Sequence, residues 1–150
     1  MKRSFVFRSG ILLGFVANFT FAADRGDIVD RNGATIVSGS GADRDYPVAE
    51  AAAHVTGYCE SNEGGQGVVG IEKMANDELA RGETVKLNID LRFQNAVYAQ
   101  LKESGRSGTA VVIDPRNGEV LALCSYPSYD PKRFTKGISK EGFEELRDAF

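Results

Sequence analysis

The sequence predicts an α+β fold, and three observations carry that expectation. Thr109 to Asp114 is a β-branched run and Glu119 to Ser125 a second apolar run, with Pro115-Arg116-Asn117-Gly118 between them as turn residues, so the segment reads as a β-hairpin. Leu91 to Ser104, just ahead of it, carries apolar side chains at helical spacing. The first half alternates short strand, turn and helix signals with glycine-rich loops. At 150 residues, 42% apolar and 26% charged, the chain suits one globular domain or two small ones.

At the N-terminus, Lys2, Arg3 and Arg8 precede the apolar run Ile11 to Ala17, which continues to the small residues Ala22 and Ala23. Gly10 to Ala23 is 14 residues, short of the roughly 20 that a spanning helix needs. Counting from Ser4 reaches that length but places Arg8 inside, where it must snorkel. A cleaved signal peptide and an uncleaved membrane anchor over residues 1–23 both stay open, as does a cytosolic apolar N-terminus. The first two imply that everything after Asp24 is exported.

Ile28-Val29 is a short strand running into an Asn32-Gly33 turn, with Ala34 to Val37 as the return strand. The Arg25-Gly26-Asp27 tripeptide matches a cell-attachment motif, a match read as coincidence. Ser38 to Asp45 is a small, polar loop. Tyr46-Pro47 leads into a helix over Ala49 to Val55 that Gly57 stops. His54 is the sole histidine and is read as a packing or capping residue, since no triad partner can be named for it.

Gly65-x-Gly67-x-x-Gly70 matches the dinucleotide fingerprint, with Asp90 about 20 residues on. The context rejects it, because the fingerprint must follow a buried strand and Tyr58 to Glu63 is a polar loop carrying two carboxylates. The glycines are read as a flexible lead into a helix over Ile71 to Ala80, with Ile71, Met74, Ala75 and Leu79 on its apolar face and Gly82 as its stop.

Val85, Leu87 and Ile89 alternate with polar residues as a half-buried strand, and Asp90 caps the helix that follows. In Leu91 to Ser104 the apolar stripe is Phe93, Val97, Tyr98 and Leu101, and Gly105 ends the helix. In the hairpin, Val120, Ala122 and Cys124 face one way and Leu121 and Leu123 the other, so both faces need cover. An open apolar hairpin edge predicts aggregation or a dimer unless a partner covers it. Two prolines hold Tyr126 to Pro131 extended. Ser139 caps a last helix, Lys140 to Phe150, with Phe143, Leu146 and Phe150 on one face.

A net charge of -3 and a pI near 5.2 argue against nucleic-acid binding. Cys59 and Cys124 with one histidine cannot assemble a zinc site; a disulfide stays open, two unpaired, semi-buried thiols being the favoured reading. No metal or cofactor is expected.

Five blocks carry a family resemblance. The hairpin and its exit, Ala110 to Leu123 followed by Ser125 to Phe134, resemble the opening of the transpeptidase domain of class B penicillin-binding proteins, the enzymes that cross-link peptidoglycan. Arg25 to Gly33 resembles the RG-x-I-x-DR-x-G segment that opens their extracytoplasmic part. Tyr46 to Tyr58, and Gly67 to Glu72 as G-x-x-G-(I/L)-E, resemble segments of their non-catalytic pedestal. Leu87 to Leu101 resembles the segment linking pedestal to catalytic domain.

The resemblance implies a shortened pedestal, or dimerisation, domain over residues 24–84 and the N-terminal part of a transpeptidase domain over residues 85–150. Catalysis in this family uses Ser-x-x-Lys, Ser-x-Asn and Lys-Thr-Gly, the first spacing placing an ammonium beside the hydroxyl it activates. None of the three motifs occurs in the sequence. Ser128 and Lys132 are four apart across Pro131, in a stretch read as non-helical. No catalytic, cofactor-binding or metal-binding residue can therefore be carried over.

Three readings follow: a truncated or split product of such a gene, a pedestal-only interaction module, or a small exported binding protein. The resemblance implies a site at the periplasmic or extracytoplasmic face of the inner membrane. Its implied partners are a membrane glycan polymerase or other wall-synthesis proteins, and a second copy of the chain.

Overall fold

The computed structural model describes residues 24–62 and 65–148. The export segment read over residues 1–23, and Phe150, lie outside them. The fold is mixed helix and sheet, as expected. Strand β1 (Ile28–Val29) pairs antiparallel with β2 (Thr35–Val37) across the Asn32-Gly33 turn and parallel with β3 (Val85–Lys86). The apolar side chains of this sheet, Ile28, Ile36 and Val37, are buried with Tyr46, Ala52 and Leu79 in one core. Val85 and Leu87 pack against its rim and Ile89 is buried, as the alternation from Val85 predicts; Leu91, just beyond it, packs there too.

Helix α1 (Ala49–Thr56) closes on Gly57. The single helix expected over Ile71 to Ala80 is instead two short ones, α2 (Gly70–Met74) and α3 (Asn76–Ala80), with Ala75 at φ -106°, ψ 28° between them. The break turns Met74 outward, 82% exposed, while Leu79 stays fully buried. Only one residue of the expected apolar stripe therefore reaches full burial.

Helix α4 (Leu91–Ser104) has the expected bounds: the Asp90 side chain accepts from the Arg92 N–H, and Gly105 closes it in the left-handed region. Its inward side differs from the expected stripe. Gln94 and Tyr98 are buried and Phe93 is 46% exposed. Strands β4 (Gly108–Ile113) and β5 (Val120–Tyr126) form the hairpin. Gly118 at φ 78° closes its turn, donating to the Asp114 carbonyl at 2.8 Å. Helix α4 and α1 cover the Ala122 and Cys124 face, both residues being fully buried.

After Pro131 the chain makes a short helix, α5 (Lys132–Thr135), where a non-helical stretch was expected. Helix α6 (Lys140–Asp148) follows, with Ser139 Oγ accepting from the Gly142 N–H at 3.1 Å. Cys59 and Cys124 are unpaired, as expected, but fully rather than partly buried.

Candidate functional site

The densest chemistry is a buried ionic joint. Glu72, on the short α2, has no solvent exposure, and each of its carboxylate oxygens is taken by a different arginine. Arg25 Nε donates to Oε2 at 2.9 Å and Arg44 Nε to Oε1 at 2.8 Å. Tyr46 Oη donates to the same Oε1 at 3.2 Å. The guanidinium groups then reach backbone: Arg25 Nη2 to the Glu72 carbonyl at 2.9 Å, and Arg44 Nη1 to the carbonyls of Gly26 at 2.8 Å and Gly39 at 2.6 Å. Buried charges must be paired and hydrogen-bonded to be tolerated; Glu72 is met on both oxygens, whereas Arg44 Nη2 is buried with no partner among the described residues.

Burial, and next the Glu72 charge, push the Tyr46 phenol and the Cys59 thiol up. Neither group is prepared as a nucleophile. With its acceptors saturated, the cluster clamps three segments and offers nothing to a substrate. Arg25 is 3% exposed, so the Arg25-Gly26-Asp27 tripeptide is not presented as an attachment loop.

The glycines of the rejected fingerprint serve the same joint. A Cβ on Gly67 would lie 1.9 Å from the Glu72 carbonyl oxygen, and one on Gly70, at φ 65°, would lie 2.5 Å from Gly57 N. They permit close backbone approach and do not form the flexible lead expected of them. Asn76 Oδ1 ties the turn down, accepting from Gly67 N at 3.0 Å and Arg25 Nη1 at 3.2 Å.

A second joint links this region to the hairpin. Asp30 is buried and accepts from the N–H groups of Asn32 (2.7 Å), Ala34 (2.9 Å) and Leu91 (3.1 Å). Burial alone would raise its carboxyl, but those three donors outweigh it and hold the group low. Gln94, fully buried, presents its amide to β5 as a strand would. Its Nε2 donates to the Leu123 carbonyl at 2.8 Å and to that of Ala51 at 2.6 Å, and its Oε1 accepts from Leu123 N at 2.9 Å.

The exit stretch is sewn back onto α1. Ser128 Oγ donates to the Glu50 carbonyl at 2.7 Å, Tyr129 Oη to that of Ala53 at 3.1 Å, and Lys132 pairs with Asp45. Ser128 and Lys132 thus have separate partners and do not form a nucleophile and base. His54 lies on the exposed side of α1, its ring edge-on to Tyr129 at 5.3 Å, a packing role as expected. Among the described residues there is no cluster of three or more His, Cys, Asp or Glu that could hold a metal, and no helix long and apolar enough to cross a membrane.

No family model matches the chain. It is 31% identical over 140 residues to penicillin-binding protein 3 of Bacillus subtilis, a match covering 69% of this chain and 21% of that protein. To the peptidoglycan D,D-transpeptidase MrdA of Escherichia coli K12 it is 38% identical over 91 residues, 61% of this chain and 14% of that one. The solved structure of Pseudomonas aeruginosa PBP2 in complex with WCK 5153 superposes with a TM-score of 0.75 at 37% identity, covering 85% of this chain and 32% of that chain. Over this length the chain matches class B penicillin-binding proteins.

It spans about a fifth or less of the length of these curated relatives and about a third of the solved chain. Within this chain, the blocks that carry the resemblance meet in space. Arg25 and Asp30 come from the first, Tyr46 and Ala53 from the second, Glu72 from the third, Gln94 from the fourth, and Leu123 and Tyr129 from the last. Sequence reasoning missed Gln94 and Arg44. Gln94 leaves a faint trace, a polar residue on the helix face between Leu91 and Tyr98; Arg44, in a polar loop, leaves none.

Proposed function

We propose that the chain serves peptidoglycan cross-linking as the non-catalytic N-terminal portion of a penicillin-binding protein. In this reading residues 1–23 export or anchor it, residues 24–84 form an abbreviated pedestal, and residues 85–150 form the opening of a transpeptidase domain on the extracytoplasmic side. The observation that carries the proposal is the use to which the family blocks are put. Their polar side chains are consumed in internal joints, Glu72 by two arginines and Gln94 by β5, while the sequence contains no Ser-x-x-Lys. Acylation of a serine by the D-Ala-D-Ala stem of one glycan strand needs that pair, so the chain supports a reacting domain and does not react.

The test is labelling of the purified chain with a fluorescent penicillin beside a full-length class B enzyme. The expected result is a labelled control and an unlabelled chain. A saturable adduct on the chain that survives heating would overturn the proposal.

A further inference from the structure

Two asparagine-glycine pairs close the two hairpins, Asn32-Gly33 between β1 and β2 and Asn117-Gly118 between β4 and β5. In such a pair the asparagine side chain is open to attack by the nitrogen of the next residue, because glycine brings no side chain to hinder the approach. Neither Gly33 nor Gly118 has an atom within 4 Å of the place a Cβ would take. By sequence the two pairs are alike; in the fold they differ.

In both turns the glycine N–H is already engaged, donating from Gly33 to the Asp30 carbonyl at 3.1 Å and from Gly118 to the Asp114 carbonyl at 2.8 Å. Each nitrogen can therefore attack only when its turn opens. Around Asn32, opening pulls on a buried joint. The Asn32 N–H and Nδ2 donate to Asp30 at 2.7 and 3.4 Å, Arg31 N donates to the Ile89 carbonyl at 2.9 Å, and Asp30 also holds Leu91. The Asp90 carboxyl is held low first by Arg92 and also by the Asn32 amide. Two carboxylates thus meet the Asn32 side chain, binding the nitrogen that must leave and opposing negative charge on its oxygen.

Asn117 is placed the other way. Arg116, Asn117 and Gly118 are exposed, and the Asn117 N–H bonds only within the turn, to the Asp114 carbonyl at 3.4 Å. The nearby carboxylates are neutralised, Asp114 by Arg116 at 2.6 Å and Glu119 by Arg31 at 3.1 Å. The Asn117 side chain is held by its oxygen: Oδ1 accepts from the Glu119 N–H at 3.0 Å. That donor points at the atom on which charge develops during attack at Cγ.

We propose that Asn117-Gly118 is a site of self-modification, at which Asn117 loses ammonia and becomes isoaspartate or aspartate, while Asn32-Gly33 is protected. The Gly118 nitrogen gives its proton to hydroxide and bonds to Asn117 Cγ, the carbonyl electron pair moving onto Oδ1. The carbonyl re-forms as the Cγ–Nδ2 bond breaks, and Nδ2 takes a proton from water and leaves as ammonia, which returns the hydroxide. The cyclic imide then adds water at either carbonyl. One opening gives aspartate; the other gives isoaspartate, whose main chain is one methylene longer. Both products place a new negative charge between Asp114 and Glu119, and the longer one disturbs the turn that presents Glu119 to Arg31. The inference is independent of the role in cross-linking.

The test is peptide mapping by mass spectrometry of the purified full chain, incubated at mildly alkaline pH both folded and in urea. In the folded chain Asn117 is expected to convert at least about fivefold faster than Asn32, the rate equivalent of one net hydrogen bond. In urea the two rates should converge. Asp90→Asn keeps a residue able to cap α4 but removes one guarding carboxylate, and is expected to quicken conversion at Asn32 and leave Asn117 unchanged. Three results would each overturn the proposal: Asn32 converting as fast as Asn117 in the folded chain, Asn117 staying intact while the urea-treated chain converts, or a rate ratio that persists unchanged in urea.

Discussion

Replacing Glu72 with glutamine takes the only negative charge out of the joint made by Arg25, Arg44 and Glu72. The two guanidinium groups are 1% and 0% exposed, so neither can recover its loss from water. A glutamine keeps the volume but accepts through one oxygen, and its NH₂ faces an arginine donor. Breaking a buried pair in this way costs about 3–5 kcal/mol, and Arg44 Nη2, already buried without a hydrogen-bond partner among the described residues, places the site toward the upper end. Against a total stability of about 5–15 kcal/mol that is a large share, equivalent to roughly a 12 °C fall in Tm for a chain of this length. Urea titration followed by circular dichroism reads it as a lower midpoint at unchanged slope. The combined Arg25→Met, Arg44→Met, Glu72→Met variant removes all three charges together and is expected to recover most of the loss. A cost for Glu72→Gln below about 1 kcal/mol, the range of exposed ion pairs, would refute the assignment of this cluster as a closed structural joint.

Gln94→Leu leaves the Leu123 N–H and the carbonyls of Leu123 and Ala51 without their side-chain partner; the expected loss is about 2–4 kcal/mol, and amide exchange at Leu123 should quicken. Gly70→Ala meets both a positive φ and a backbone contact at 2.5 Å, whereas Gly105→Ala meets a positive φ with nothing within 4 Å. Thermal melts should show the first variant unfolded or nearly so and the second losing only about 1–2 kcal/mol. Asp114 is held down to about 2 from 3.8 by the Arg116 guanidinium and N–H. The folded carboxyl binds its proton less readily than the unfolded one, so this contribution is complete above about pH 5 and is lost as pH falls toward 2. Melts from pH 7 to 2 should show Asp114→Asn with a shallower acid limb than the wild type. The buried Cys124 thiol, pushed up to about 11 by burial, and Cys59, raised for the same reason, should react with a thiol reagent at neutral pH only after denaturant is added.

What the sequence showed and what it hid divide by the range of the interaction. The bounds of α4 follow from Asp90 and Gly105, and the hairpin from its turn residues, because a cap or a tight turn is decided within a few neighbours. The apolar stripe of α4 was misjudged because its partner is β5, whose demand is for hydrogen bonds: Gln94 answers Leu123, 29 residues away, and displaces Phe93 to the surface. Arg25 and Glu72 lie 47 residues apart and Arg44 and Glu72 28 apart, so no local pattern links them. The family resemblance marked Arg25 and Glu72 as belonging to recurring blocks without saying that they touch. The glycine fingerprint was refused as a nucleotide site on its context alone, and the reason for its glycines, backbone packed on backbone, lies in contacts with Gly57 and Glu72 that only the fold reveals.

The central claim, that the chain holds the supporting part of a cross-linking protein and no reaction centre, is tested most directly by product formation. The purified chain is incubated with a stem pentapeptide ending in D-Ala-D-Ala and an acceptor amine, and released D-alanine is followed by mass spectrometry beside a full-length class B enzyme. The account predicts release by the control and none above buffer by the chain. Release by the chain that penicillin abolishes would contradict it.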